Sequence, residues 1–354
     1  MKKHNFSAGP CILPKEVLLK ASEAVMDFNG SGLSLIEISH RSKDFVAVME
    51  NARSLALELL DLKDKGYKAL FLQGGASLEF LMTAYNLLES KAGYLNTGTW
   101  SDKAIKEAKL FGEVVEVGSS KDENFKYIPK GYSVPTGLDY LHITSNNTIF
   151  GTQFKKFPKT DCPLVCDMSS DIFSRTMDFS QFDLIYAGAQ KNMGPAGTTL
   201  VIVKEDILGK VSRKIPSMLD YQVHIAKDSM FNTPSVFAVY TSMLTLEWLK
   251  NRGGIAAIEE VNEKKARLLY SEIDLNPVFE GYANVEDRSL MNATFNITDE
   301  VLKSTFDNML KEAGINGLNG HRSVGGYRAS MYNALSLDSV GVLVDVMSEM
   351  ERKG

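Results

Sequence analysis

Lys191 stands in the segment YAGAQKNMGPAGTTLVIV, just past an apolar run that reads as a strand, in a loop of Gly, Ala and Pro without an acid close by. Most lysines are solvated surface residues. One held among small apolar neighbours is desolvated, loses proton affinity and becomes a nucleophilic amine, the group that Schiff-base chemistry needs. Asp167, in PLVCDMSSDIF, ends another apolar run 24 residues earlier. An Asp there serves as a helix cap or turn residue, or as a fixed carboxylate that keeps an aromatic nitrogen protonated and so makes the ring an electron sink. An Asp and a Lys on successive strand ends fit the two ends of one cofactor.

Two further patterns concern anions and flat rings. FLQGGASLEF reads as a strand, two glycines and a helix start. The free N–H groups and the dipole of such a terminus favour phosphate, although neither GxGxxG nor a P-loop is present. Trp100, in NTGTWSD, is one of two tryptophans; it suits a core or helix-start position, or a face stacked on a flat cofactor. SHRS (39–42) and GHRSVGGYR (320–328) place His40, Arg41, His321, Arg322 and Arg328 in two Gly/Ser-flanked segments of a chain with five histidines. Loop arginines are often merely solvated. Two His-Arg dipeptides also suit a substrate with a carboxylate at one end and a dianion at the other, since guanidinium forks bind both bidentately.

The elements that must position these residues follow from the hydrophobic pattern. Helix-like periodicity begins at Lys15 and recurs over 43–60, 77–89 and 99–111. Short apolar runs at 69–73, 92–96, 113–117, 140–144, 163–167, 184–188 and 198–203 read as strands. Residues 235–269 read as two helices interrupted at Gly253-Gly254, followed by a strand at 289–297 and helices at 299–313 and 337–352. Nearly continuous apolar strands between helices predict an α/β fold, a mostly parallel sheet flanked by helices, with a smaller C-terminal α+β domain. The expected division is an N-terminal segment 1–15 near the active site, a large domain 16–260 and a small domain 261–354. In such sheets ligands bind at the C-terminal strand ends. Gly74-Gly75-Ala76-Ser77, Thr148, Asp167 and Lys191 all fall there.

Composition narrows the function classes. The 354 residues are 44% hydrophobic and 23% charged, with 44 acids against 39 bases and a net charge of −5. No basic tail or patch suggests a nucleic-acid partner. No apolar run approaches the roughly 20 residues of a membrane span, and the start lacks the apolar stretch of a signal peptide. Cys11, Cys162 and Cys166 make neither a disulfide framework nor a metal site, and are expected to be buried thiols in a reducing cytoplasm.

Taken together, NFSAGP, EISHRSKDF, QGGAS, NTGTWSDKA, CDMSSDIFSR, YAGAQKNMGPAG, FNTPS and GHRSVGGYRASMYNA run nearly end to end. The chain resembles the phosphoserine aminotransferases, class V members of the fold-type I enzymes that depend on pyridoxal 5'-phosphate. The sibling subgroup that includes cysteine desulfurases and alanine–glyoxylate aminotransferases shares the Lys and Asp logic but not the His-Arg segments. The resemblance implies that Lys191 is the Schiff-base lysine and proton shuttle, that Asp167 holds the pyridine nitrogen, that Trp100 stacks on the ring and that Thr148 contacts the ring hydroxyl. It implies backbone N–H groups of Ala76 and Ser77 at the cofactor phosphate, with Gln190 nearby, and Asn232 and Thr233 reaching that phosphate from the second subunit of a homodimer. Arg328 would take the substrate α-carboxylate. His40, Arg41, His321 and Arg322 would take the phosphate of phosphoserine or the side-chain carboxylate of glutamate. One departure is Ser235-Val236, where the family often has Pro-Thr; the Asn and Thr before it are intact.

The implied reaction passes the amino group of glutamate to 3-phosphohydroxypyruvate, giving 2-oxoglutarate and phosphoserine in serine biosynthesis, with both substrates using one site in turn. The longer phosphorylated keto acid of vitamin B6 synthesis is a second candidate substrate. The competing readings are another class V enzyme, such as a small-acid aminotransferase or desulfurase, and a non-catalytic binding protein of the same fold. Desulfuration needs a mobile loop cysteine, for which Cys11, Cys162 and Cys166 are poorly placed. Intact Lys191 and Asp167 argue against a non-catalytic role.

Overall fold

The computed structural model describes residues 3–353; Met1, Lys2 and Gly354, the outer ends of the expected N-terminal segment and small domain, lie outside the described residues. The chain begins with a short strand, β1 (His4–Asn5), and helices α1 (Lys15–Met26) and α2 (Lys43–Leu59). Strands and helices then alternate through β2 (Tyr67–Leu72), α3 (Gly75–Leu87), β3 (Lys91–Asn96), α4 (Thr99–Ala108), β4 (Glu113–Ser119) and β5 (Tyr140–Thr144). A small hairpin of β6 (Asn146–Asn147) and β7 (Thr152–Gln153) precedes β8 (Leu164–Asp167), β9 (Leu184–Gly188) and β10 (Thr199–Lys204). Helices α5 (Tyr221–Ala226), α6 (Val236–Asn251) and α7 (Gly254–Leu275) lead to β11 (Phe279–Gly281), β12 (Asn292–Ile297), α8 (Lys303–Glu312), β13 (Ile315–Asn316), β14 (Tyr327–Ser330) and α9 (Leu337–Lys353).

Seven strands form the main sheet in the order β2-β10-β9-β8-β5-β3-β4. The β10 strand is antiparallel to both β2 and β9, and every other pair is parallel. The mostly parallel sheet is as expected, while the one reversed strand carries no mark in the sequence. Strand residues alternate between faces. Ala69, Phe71, Ile143, Cys166, Ile185 and Ile202 point into one core with α1, α2 and α6. Leu70, Leu72, Val165, Leu184, Tyr186 and Val201 point into the other with α3 and α4. Helices on both faces explain why these strands lack polar alternation.

A separate core gathers Phe279, Phe295, Phe306, Tyr327, Leu343 and Met347 from the C-terminal elements, together with Phe6. It backs an antiparallel sheet, β11-β12-β14. The expected boundary near residue 260 falls inside the continuous helix α7. Ile255 and Ile258 of this helix belong to the first core, and Ala266, Leu269 and Ile273 to the last. The N-terminal strand β1 pairs in parallel with β13, so the chain start is attached to the C-terminal elements. The expectation of three buried thiols is corrected. Cys166, inside the sheet, is buried, but Cys11 and Cys162 lie outside the strands and are half-buried; all three are free. Among the described residues no helix is long and apolar enough to cross a membrane.

Candidate active site

With β10 the only reversed strand, the C-terminal ends of β2, β3, β5, β8 and β9 share one edge of the sheet. A cavity of about 470 Å³ opens there, lined among others by Ala8, Gly9, Gly74, Gly75, Ala76, Ser77, Phe80, Trp100, Asn146, Thr148, Asp167, Ser169, Gln190, Lys191, His321 and Arg328. Residues from five strand ends, the N-terminal segment and the C-terminal sheet thus meet in one place.

The turn after β2 depends on glycine. Gly74 has φ +98°, and a Cβ there would lie 2.5 Å from Leu78 Cδ2. Any other residue would be strained and would collide with the first turn of α3. No side chain caps α3 and its first turn holds no acid. The N–H groups of Gly75, Ala76 and Ser77 are therefore available to an anion. Trp100 lies in the first turn of α4 beside this terminus; its Nε1 is buried without a partner among the described residues. Lys103 Nζ sits 4.6 Å from the centroid of the Trp100 ring.

Lys191 and Asp167 meet across the cavity. Lys191 Nζ donates to Thr148 Oγ1 at 2.9 Å. Burial is the largest influence on this amine and brings its pKa down to about 8; Asp167 opposes the fall and Arg328 adds to it. The Asp167 carboxyl, at the end of β8, is raised from the usual carboxylate range by burial, and the Lys191 charge and a hydrogen bond from Ser169 N (2.9 Å) oppose the rise. No basic side chain among the described residues forms an ion pair with it, so a cationic ligand nitrogen would meet an unneutralised acceptor. Behind it, Asp171 is buried and paired with Arg175 at 3.1 Å. Asp171 also accepts from Gln153 Nε2 at 3.2 Å, which ties β7 to the loop after β8.

Arg328, on β14, reaches the cavity because the hairpin docks on the C-terminal sheet. Asn146 Nδ2 donates to Asn292 Oδ1 at 2.8 Å, and Thr294 Oγ1 donates to Phe150 O at 2.9 Å. Thr294 is the register partner of Arg328. The Arg328 Nε is buried and unpartnered, and its Nη1 approaches Thr148 O at 3.5 Å. His321 is half-buried at the same end. Burial lowers its pKa first, followed by the charges of Arg328, Arg322 and Lys103. The mouth is therefore electropositive even though the chain is acidic.

Not every expected residue reaches this cavity within one chain. Arg322 is exposed beside it. His40 and Arg41 lie in the turn between α1 and α2, His40 buried with Nε2 unpartnered and Arg41 exposed. Asn232 is half-buried and Thr233 exposed; Thr233 O accepts from Gln73 Nε2 at 2.7 Å. Asn146, Ser169 and Phe80 were not anticipated from the sequence. For Ser169 a signal existed, because an Asp whose side chain accepts the N–H two residues on makes an Asx turn. Asn146 gave none, since its place depends on the hairpin that follows β5.

The residues present fit pyridoxal phosphate: an uncapped helix N-terminus for the phosphate, a buried carboxylate for the ring nitrogen, an indole beside the cavity and a low-pKa amine. Comparison with known proteins agrees. The family model Aminotransferase class-V matches residues 3–343. Phosphoserine aminotransferase of Flavobacterium johnsoniae is 69% identical, over 100% of both chains. The structure of phosphoserine aminotransferase from Bacillus circulans subsp. alkalophilus is similar with a TM-score of 0.96, at 43% identity over 99% of each chain. That of PLP-bound phosphoserine aminotransferase from Trichomonas vaginalis has a TM-score of 0.92 at 34% identity, over 98% of this chain and 100% of that one. With its Lys191–Asp167 cavity at the C-terminal edge of a mostly parallel sheet, this chain belongs to the class-V aminotransferases, within the phosphoserine aminotransferase family.

Proposed function

We propose that the protein transfers an amino group from glutamate to 3-phosphohydroxypyruvate, yielding 2-oxoglutarate and phosphoserine for serine biosynthesis, with pyridoxal phosphate as cofactor. The observation that carries this reading is the half-buried Lys191 amine facing Asp167 in a cavity whose mouth is lined by Arg328 and His321. Bound pyridoxal phosphate supplies an electron sink for the charge left when the substrate α-proton departs. Asp167 holds the proton on the ring nitrogen. Lys191 anchors the cofactor and, when free, carries the α-proton as general base and acid. Thr148, which accepts from Lys191, orients that amine. Ala76, Ser77 and Gln190 bind the phosphate end, and Trp100 covers the ring. Arg328 fixes the α-carboxylate, which is common to both substrates. The discriminating assay compares glutamate-dependent amination of 3-phosphohydroxypyruvate with that of pyruvate, oxaloacetate and the phosphorylated keto acid of vitamin B6 synthesis. Turnover of pyruvate or oxaloacetate equal to that of 3-phosphohydroxypyruvate would overturn the reading. Three free thiols suit a reducing cytoplasm.

A homodimer is part of the same proposal. His40, Arg41, Asn232 and Thr233 stand outside their own chain's cavity. Near the first two lie the exposed apolar residues Leu33 (52% exposed) and Ile36 (62%), as at a surface covered by a partner. A twofold dimer would bring these residues to the neighbouring site. Light scattering at assay concentration is expected to give twice the chain mass, and an active monomer would refute this arrangement.

The distal anion pocket gives a specificity prediction. A phosphate offers more charge and more acceptor oxygens than a γ-carboxylate. Replacing Arg41 or Arg322 by Ala is expected to cost roughly 1.5–3 kcal/mol, about ten- to a hundredfold, in the phosphoserine half-reaction, with a smaller loss for glutamate. Arg328→Ala is expected to damage both half-reactions alike. Cofactor absorbance follows each half-reaction separately. Equal losses for the two substrates in the Arg41 and Arg322 variants would make those residues structural.

A further inference from the structure

Lys265, in the middle of α7, is fully buried and forms no ion pair among the described residues. Its Nζ donates to two backbone carbonyls, Met331 O at 2.9 Å and Tyr332 O at 2.8 Å. A buried ammonium is costly, and a methionine would fill much of the same space, so what the amine adds is the fixed position of those two carbonyls. They directly follow β14, the strand that carries Arg328. The same bend holds the N-terminal segment. Ser330 N donates to Phe6 O at 3.2 Å, and the Tyr332 hydroxyl donates to Ala8 O at 2.7 Å. That segment continues along the cavity wall through Ala8 and Gly9 to Cys11, whose N–H donates to Gln190 O at 3.0 Å, next to Lys191. One bend therefore joins the Arg328 strand, the N-terminal wall and the lysine loop.

We propose that Lys265 is a positioning residue for substrate binding. By clamping the 331–332 carbonyls, and through the Tyr332 hydroxyl, it holds Arg328 and the Ala8–Gly9 wall in register over the cavity. The inference rests on the reading that Arg328 takes the α-carboxylate. Among the described residues Lys265 itself makes no hydrogen bond or ion pair to Lys191 or Asp167, so its direct contacts lie on the Arg328 side of the bend. The test uses the holoenzyme of Lys265→Met, with KM and kcat measured for glutamate and for phosphoserine. The cofactor absorbance band and kcat are expected to stay near wild type while KM rises roughly tenfold or more for both substrates, as a small misplacement of a binding group gives. A packing role alone would lower the melting temperature and leave KM unchanged, and that result would overturn the proposal. Should Lys265→Met fail to retain cofactor, Tyr332→Phe decides on the hydroxyl link through which the clamp acts, since it keeps the ring in place and removes the bonds to Ala8 O and from Asn292 Nδ2. Raised KM for both substrates supports the clamp, and wild-type KM overturns it. An Arg328→Ala variant with unchanged KM for both substrates would instead sink the underlying reading of Arg328.

Discussion

Lys191→Ala is expected to lose the absorbance of the lysine-bound cofactor near 400 nm, on the order seen for such attachments, and to turn over roughly 10⁴-fold or more slowly. Two losses combine. The proton shuttle alone contributes roughly 10²- to 10⁴-fold, and the covalent anchor is removed with it. The fold is expected to survive, because Lys191 lines a cavity and the one hydrogen bond of its amine among the described residues is to Thr148 Oγ1. Near-normal turnover in this variant would end the assignment. The same amine sets a pH dependence in the apoprotein. Burial lowers its pKa to about 8, and only the neutral amine attacks. The rate of cofactor attachment should therefore climb about tenfold per pH unit below that value and level off above it. A rate that keeps climbing to pH 10 would mean an ordinary solvated lysine.

Asp167→Asn is expected to slow α-proton removal from glutamate by about 100- to 1000-fold, the cost of deleting one preorganised charge from a water-poor site. The amide keeps the shape and still accepts from Ser169 N, but it cannot hold a proton on the ring nitrogen, and the electron sink weakens. Cofactor should remain bound through Lys191 and the α3 N-terminus. Solvent exchange of the glutamate α-proton, followed by deuterium incorporation, measures the step directly. An exchange rate equal to wild type would contradict the role given to Asp167.

The placement of Lys191, Asp167 and the α3 N-terminus at the C-terminal strand edge was legible in the sequence because it depends on local context. Each ends or follows a short apolar run that reads as a buried strand, which puts it at a strand end. Most elements were legible for the same reason: a two-sided sheet demands unbroken apolar strands, and β5 and β9 match the expected 140–144 and 184–188. Tertiary structure decided what depends on contacts distant in sequence. The reversal of β10 is one case, since an apolar strand reads alike in either direction. The docking of the β6–β7 hairpin on β12, which brings Arg328 to Thr148, is another. The third is the clamp by which Lys265 joins α7 to the bend after β14. In sequence that lysine is one more charge on an amphipathic helix, and only the packing of the C-terminal core turns its position inward. Which of the expected His and Arg residues share a cavity was also set by packing. The two His-Arg dipeptides look equivalent in the sequence, yet one lies at the mouth of the cavity and the other on the α1–α2 turn, because chain proximity in space is fixed by the cores and not by residue type.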